Sequence, residues 1–94
     1  MEKFIIKLES PESLKDVIFL TKEVLTDSFQ VKNRKTQINA AKIKGKLSKI
    51  IFEDIIGTRE VETKIIDTTL SYVSTKSGID IPKCCIYSID PVIN

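Results

Sequence analysis

Residues 58–77 read TREVETKIIDTTLSYVSTKS, and the fold of the chain turns on whether this stretch is a helix or a hairpin. Val61, Ile65, Ile66, Thr69, Leu70, Tyr72 and Val73 recur at helical spacing on one arc of about 180°. Thr58 suits an N-cap, and Gly78 followed by Ile79 suits a left-handed helix end with an apolar residue folding back on it. Against this, Thr68, Thr69, Tyr72, Val73 and Thr75 are residue types that favour strands. The spacing predicts a helix over 58–77. The alternative is a hairpin turning at Ser77-Gly78.

On the C-terminal side, Cys84 to Ile89 is predicted as a final strand that Pro91 ends. Pro82 cannot donate to a ladder, so it belongs at a sheet edge or in the approach to that strand. On the N-terminal side, Ala40, Ile43, Leu47, Ile50, Ile51 and Ile55 predict a helix from about Ala40 to Ile56, stopped by Gly57. Before it, Phe29 and Val31 alternate with polar neighbours, as do Gln37 and Ile38. The polar Asn33-Arg34-Lys35-Thr36 between them predicts a short hairpin. Ser10-Pro11-Glu12 is a helix start, followed by Leu14, Val17, Ile18, Thr21, Val24 and Leu25 on one face to about Asp27. Lys3 to Leu8 reads as a first strand. The predicted order β-α-β-β-α-α-β describes one α+β domain over residues 1–94, a small, mainly antiparallel sheet with helices on one face.

Composition narrows the function classes. The chain is 41% hydrophobic and 30% charged, which suits a globular domain rather than a disordered one. Net charge is +2, but it is unevenly spread. Residues 32–49 hold seven basic side chains (Lys32, Arg34, Lys35, Lys42, Lys44, Lys46, Lys49) and no acidic one. The rest of the chain holds eight basic and thirteen acidic residues. No apolar run approaches the ~20 residues that span a bilayer, and no basic-then-apolar leader pattern opens the sequence. Cys84 and Cys85 are adjacent and cannot staple distant segments, so a reducing cytoplasmic location is expected.

Catalytic constellations are not visible. The chain has no histidine, the commonest general base and metal ligand. Cys84-Cys85 on a strand would point to opposite faces, one into the core as a small hydrophobe, which suits packing better than zinc or redox chemistry. Glu53-Asp54 and Glu60-x-Glu62 do not face each other on a helix and read as solvated ends. Gly45, Gly57 and Gly78 cannot build a phosphate loop, and no base stands ready to activate a serine. No cofactor, metal or catalytic residue is therefore expected.

The strand Phe4-Ile5-Ile6-Lys7-Leu8, the Ser10-Pro11 helix start, the hairpin, and Ile38-Asn39-Ala40-Ala41-Lys42-Ile43-Lys44-Gly45-Lys46-Leu47 resemble the HPr-like family. That family comprises phosphocarriers of the sugar phosphotransferase system and their degenerate relatives. The resemblance covers residues 1–52. Ala41-Lys42-Ile43-Lys44-Gly45 is similar in spacing to the Lys-Ser-Ile-x-Gly pattern that opens the family's second helix. It implies an HPr-like fold, with the ferredoxin-like arrangement as the nearby alternative. The family carries its phosphoryl group on a histidine before the first helix, where this chain has Leu8-Glu9-Ser10-Pro11, and its regulatory serine falls on Lys42. The family's second half runs strand then helix, whereas helix then strand is predicted here. The resemblance implies the fold and not the carrier activity.

The remaining candidate is the basic segment. Lys42, Lys46 and Lys49 at i, i+4 and i+7 form a stripe on the predicted second helix, and Lys32, Arg34 and Lys35 extend it from the hairpin. The reading is a non-catalytic binding or regulatory module acting on a protein with an acidic surface. An isoleucine- and lysine-rich, tryptophan-free makeup suits a phage or mobile-element inhibitor. Nucleic acid is the alternative partner, weakened by the lack of aromatic residues beside the lysines; a solvated helix face is the plain one. One outcome follows directly from the missing histidine. Incubated with a phosphotransferase kinase and donor, the chain is expected to acquire no phosphoryl group, and a stoichiometric mass increment of one phosphoryl would contradict this.

Overall fold

The computed structural model describes residues 5–7, 17–76 and 78–92. Helix α1 spans Ser28–Lys44. Asp27 caps it by accepting the Phe29 N–H at 2.7 Å, and Gly45, at φ 61°, closes it in the left-handed conformation that glycine adopts without a Cβ penalty. Lys42 and Lys44 in the last turn complement the negative end of the helix dipole. The face turned to the sheet carries Arg34 and Ile38 buried, with Val31 and Ala41 half-buried. This is a stripe at 3.6-residue period with a charge in its middle.

After Gly45 the described residues form five strands joined by turns. β2 (Leu47–Glu53) pairs antiparallel with β3 (Thr58–Thr68), from Leu47 opposite Lys64 to Glu53 opposite Thr58. β3 pairs in turn with β4 (Tyr72–Thr75), and β4 with β5 (Asp80–Pro82). A single 3-10 turn, Lys83–Cys85, leads to β6 (Ile86–Pro91), which returns to the free side of β2. The sheet order is β5-β4-β3-β2-β6, and β1 (Ile5–Lys7) lies parallel to the start of β3, Ile5 opposite Thr58.

The burial of β2 alternates, with Ser48, Ile50 and Phe52 inward. Val61, Thr63 and Ile65 of β3, Val73 and Thr75 of β4, Ile81 of β5, and Ile86 and Ile89 of β6 complete the inner face. Ile38 of α1 joins that core, and Phe19 packs its ring 5.4 Å from Phe52.

The turn between β2 and β3 is held by Asp54. Its carboxylate accepts the N–H groups of Ile56 and Gly57, each at 2.8 Å, and meets the Arg59 guanidinium. Burial alone would raise the Asp54 carboxyl, but these amides and Arg59 outweigh it and hold it below its ordinary value.

The predicted three-helix order, HPr-like or ferredoxin-like, is overturned. The fold is α+β, but among the described residues the order is β-α-β-β-β-β-β. The predicted first helix lies outside the described residues as far as Asp16. From Val17 to Asp27 the chain is an irregular strap, with Phe19 bridged to Asp54 and the Val24 N–H bonded to Cys84 O at 2.9 Å. The predicted hairpin over Phe29–Ile38 is the body of α1, and the predicted helix over Ala40–Ile56 is the end of α1 followed by β2. The stretch 58–77 is strand: β3 turns at Thr69-Leu70-Ser71 into β4, earlier than the alternative hairpin placed its turn.

Two adjacent isoleucines separate these readings. Ile65 is 2% exposed and Ile66 59%. Ile65→Ala is expected to cost about 2–4 kcal/mol as a large-to-small core change, and Ile66→Ala about 1 kcal/mol or less. Urea unfolding of the two variants checks this, and equal losses would contradict the strand assignment.

Candidate binding cleft

Three segments wall a cleft of about 570 Å³: α1, the strap at Thr21 and Glu23, and the paired turns at Leu70–Tyr72 and Pro82–Cys84. The two turns are tied together, because the Lys83 N–H donates to Ser71 O at 2.8 Å. Apolar groups, among them Val31, Ile38, Tyr72 and Pro82, line it between the charges.

Arg34 stands at the back, 7% exposed. Its Nη2 donates to Glu23 Oε1 at 2.6 Å, and its Nη1 donates to Glu23 Oε2 at 2.8 Å and to Ile86 O at 2.9 Å. A planar guanidinium meets a carboxylate through two parallel bonds in this way. These hydrogen bonds from Arg34 are the main reason the Glu23 carboxyl lies below its ordinary value of 4.5. Burial opposes them, and the Leu25 N–H adds to them.

Lys32 and Lys35 of α1 are exposed at the cleft, and Lys83, in the Pro82–Cys84 turn, lines it half-buried. Burial, then the positive charges of Lys35, Arg34 and Lys42, hold the Lys83 ammonium below its ordinary value. Among the described residues no carboxylate lies within 4.0 Å of Lys32, Lys35 or Lys83.

The six residues singled out in the sequence therefore separate. Lys32 and Lys35 face the cleft. Arg34 is buried behind it, engaged in structural bonds. Lys42 lies at the end of α1, 3.2 Å from Asp67. Lys49 is on β2, 3.4 Å from Glu60. Lys46, between α1 and β2, borders a second cavity of about 140 Å³ with Ala40, Ala41 and Ile89. No helical stripe of Lys42, Lys46 and Lys49 exists, because Gly45 ends the helix between the first two. Sequence reading did not single out Lys83, and it put Leu70 and Tyr72 on a predicted helix face instead of at a cleft. The signals for them were slight: a leucine flanked by turn-forming Thr69 and Ser71, and a lysine placed after a proline.

The adjacent cysteines lie in the 3-10 turn rather than on a strand. Cys85 enters the core, where burial and then the neighbouring Cys84 push its thiol up to about 12, and it donates to Pro82 O at 3.2 Å. Cys84 is half-buried on the cleft wall. Among the described residues no group of three or more potential metal ligands forms, and no helix is long and apolar enough to cross a membrane.

Comparison with protein-family models, with curated proteins and with solved structures finds no match.

Because the folded-state pKa of Glu23 lies below 4.5, the unfolded chain binds the more protons on acidification. The stability Glu23 contributes is complete above pH 4.5 and is lost as pH falls through the folded value. Urea midpoints measured from pH 7 downward are expected to fall through this window, and less steeply in Glu23→Gln. An identical pH dependence in parent and variant would contradict the Arg34–Glu23 contact.

Proposed function

We propose that this chain is a non-catalytic binding module that acts by contact with an acidic segment of a protein partner, through Lys32, Lys35 and Lys83. One observation carries the reading: three lysines line one cleft beside apolar side chains, and among the described residues none of them lies within 4.0 Å of a carboxylate. Unneutralised cations on the walls of a concave, partly apolar site focus a positive potential. That potential speeds the approach of a negative partner and fixes its register. The acid that lines the cleft, Glu23, is committed to Arg34. A regulator or inhibitor of phage or mobile-element type fits this description, working in a reducing cytosol where Cys84 and Cys85 stay as thiols.

Nucleic acid is a second reading, favoured by one observation: Tyr72 lines the same cleft and offers a stacking face beside the lysines. It ranks lower because no further aromatic lines the cleft among the described residues and the lysines gather at one place instead of tracking a backbone.

Affinity capture from the source cell, repeated with the Lys32→Glu/Lys35→Glu double variant, tests both. The expected outcome is a protein retained by the parent and retained at least tenfold less by the variant. Equal retention by both would overturn the proposal, and nuclease-sensitive retention would transfer it to nucleic acid.

A further inference from the structure

Leu70 is 95% exposed, yet the turn that carries it is firmly built. The Thr69 N–H donates to Tyr72 O at 2.9 Å, and Thr69 Oγ1 accepts the N–H groups of Ser71 at 3.3 Å and Tyr72 at 2.9 Å. The Lys83 N–H bond to Ser71 O then locks the lysine-bearing turn against the leucine-bearing one. Leu70, Tyr72 and Lys83 are thus carried by two linked, hydrogen-bonded turns, and they line the cleft together with Lys35 of α1. Ordering such a surface costs little on binding, because its backbone is already fixed.

We propose that the cleft recognises a short peptide segment in which an aspartate or glutamate stands beside a large apolar residue, the carboxylate between Lys35 and Lys83 and the apolar side chain on Leu70 and Tyr72. This rests on the protein-contact reading above and specifies what that contact selects. A cleft of about 570 Å³ is of the size that encloses small ligands and a few side chains. The anion assigned is a carboxylate, the charge an acidic protein segment carries, and the arginine cluster on which phosphopeptide-binding domains are built is not among the described lining residues. The arginine among the described lining residues, Arg34, is buried and held by Glu23 and Ile86. Charge alone would make the cleft indifferent to the neighbouring residue, whereas a fixed, fully exposed leucine beside the cations adds an apolar requirement.

Fluorescence anisotropy with three labelled peptides tests this: alternating glutamate and leucine, alternating glutamate and serine, and alternating glutamine and leucine. The glutamate–leucine peptide is expected to bind at least tenfold more tightly than either control. Lys83→Glu is expected to weaken it at least tenfold, with Lys83→Gln as the milder variant should the first fail to fold. Leu70→Ser is expected to weaken the glutamate–leucine peptide and leave the glutamate–serine peptide unchanged. If the two glutamate peptides bind equally and Leu70→Ser is silent, the two-point recognition falls while the acidic contact stands. If neither glutamate peptide binds at millimolar concentration, both fall. A phosphoserine–leucine peptide or a single-stranded oligonucleotide that outcompetes the glutamate–leucine peptide at equal charge would also overturn the proposal.

Discussion

The Arg34 guanidinium is a full charge set in the middle of the buried face of α1, and three hydrogen bonds make that position tolerable. Two go to Glu23 on the strap and one to the carbonyl of Ile86 on β6, so one side chain joins α1 to the strap before it and to the last strand of the sheet. Three residues on, Gln37 Oε1 accepts the Ile89 N–H at 3.0 Å. Between them, Arg34 and Gln37 engage backbone groups of β6, the last strand on its side of the sheet. An end strand with open backbone groups is a template for pairing with other chains, and covering it with helix side chains is one of the ways proteins blunt it. The opposite end strand, β5, is blunted differently, being three residues long and closed by Pro82.

The same contact sets the electrostatics of the cleft. Arg34 and Glu23 cancel one another at the back, so the positive character of the walls comes from Lys32, Lys35 and Lys83. Lys42 and Lys49 are each matched with an acid and contribute less to an outside partner. Charge that looked continuous along residues 32–49 is therefore divided in space, one part neutralised and one part gathered with a lysine from far along the chain. The apolar component has its own cause. Leu70 sits at the apex of a tight turn whose backbone is satisfied internally, so the side chain has no neighbour to pack beneath it.

The first and last strands were legible, and the elements predicted between them were not. Ile5–Lys7 falls within the strand predicted over Lys3–Leu8, Ile86–Pro91 overlaps the predicted last strand and ends at Pro91, and Pro82 stands at a sheet edge. Helix α1 was read as a hairpin because a charged residue on its buried face interrupts the apolar stripe, and Asn33-Arg34-Lys35-Thr36 then looks like a turn. β2 and β3 were read as helices for the opposite reason. The doublets Ile50-Ile51 and Ile65-Ile66 meet the i, i+3, i+4 template, although one member of each faces inward and the other does not. The β-branched and aromatic residues over Thr68–Thr75 carried the correct signal, weaker than the periodicity that competed with it. In the candidate site, Lys32 and Lys35 were visible as part of a basic run. Lys83 was not, since its place beside them depends on the path of the whole sheet. No comparison bears on the HPr-like resemblance, whose implied element order is not the one found.

The most direct test of this architecture is a double-mutant cycle on Arg34→Ala and Glu23→Ala, read by urea unfolding at pH 7. A coupling of about 1 kcal/mol is expected, at the low end of the range for contacting residues because the Glu23 side chain is 40% exposed. Strictly additive losses, within about 0.3 kcal/mol, would show that the strap is not held to α1 by this pair and would contradict the account.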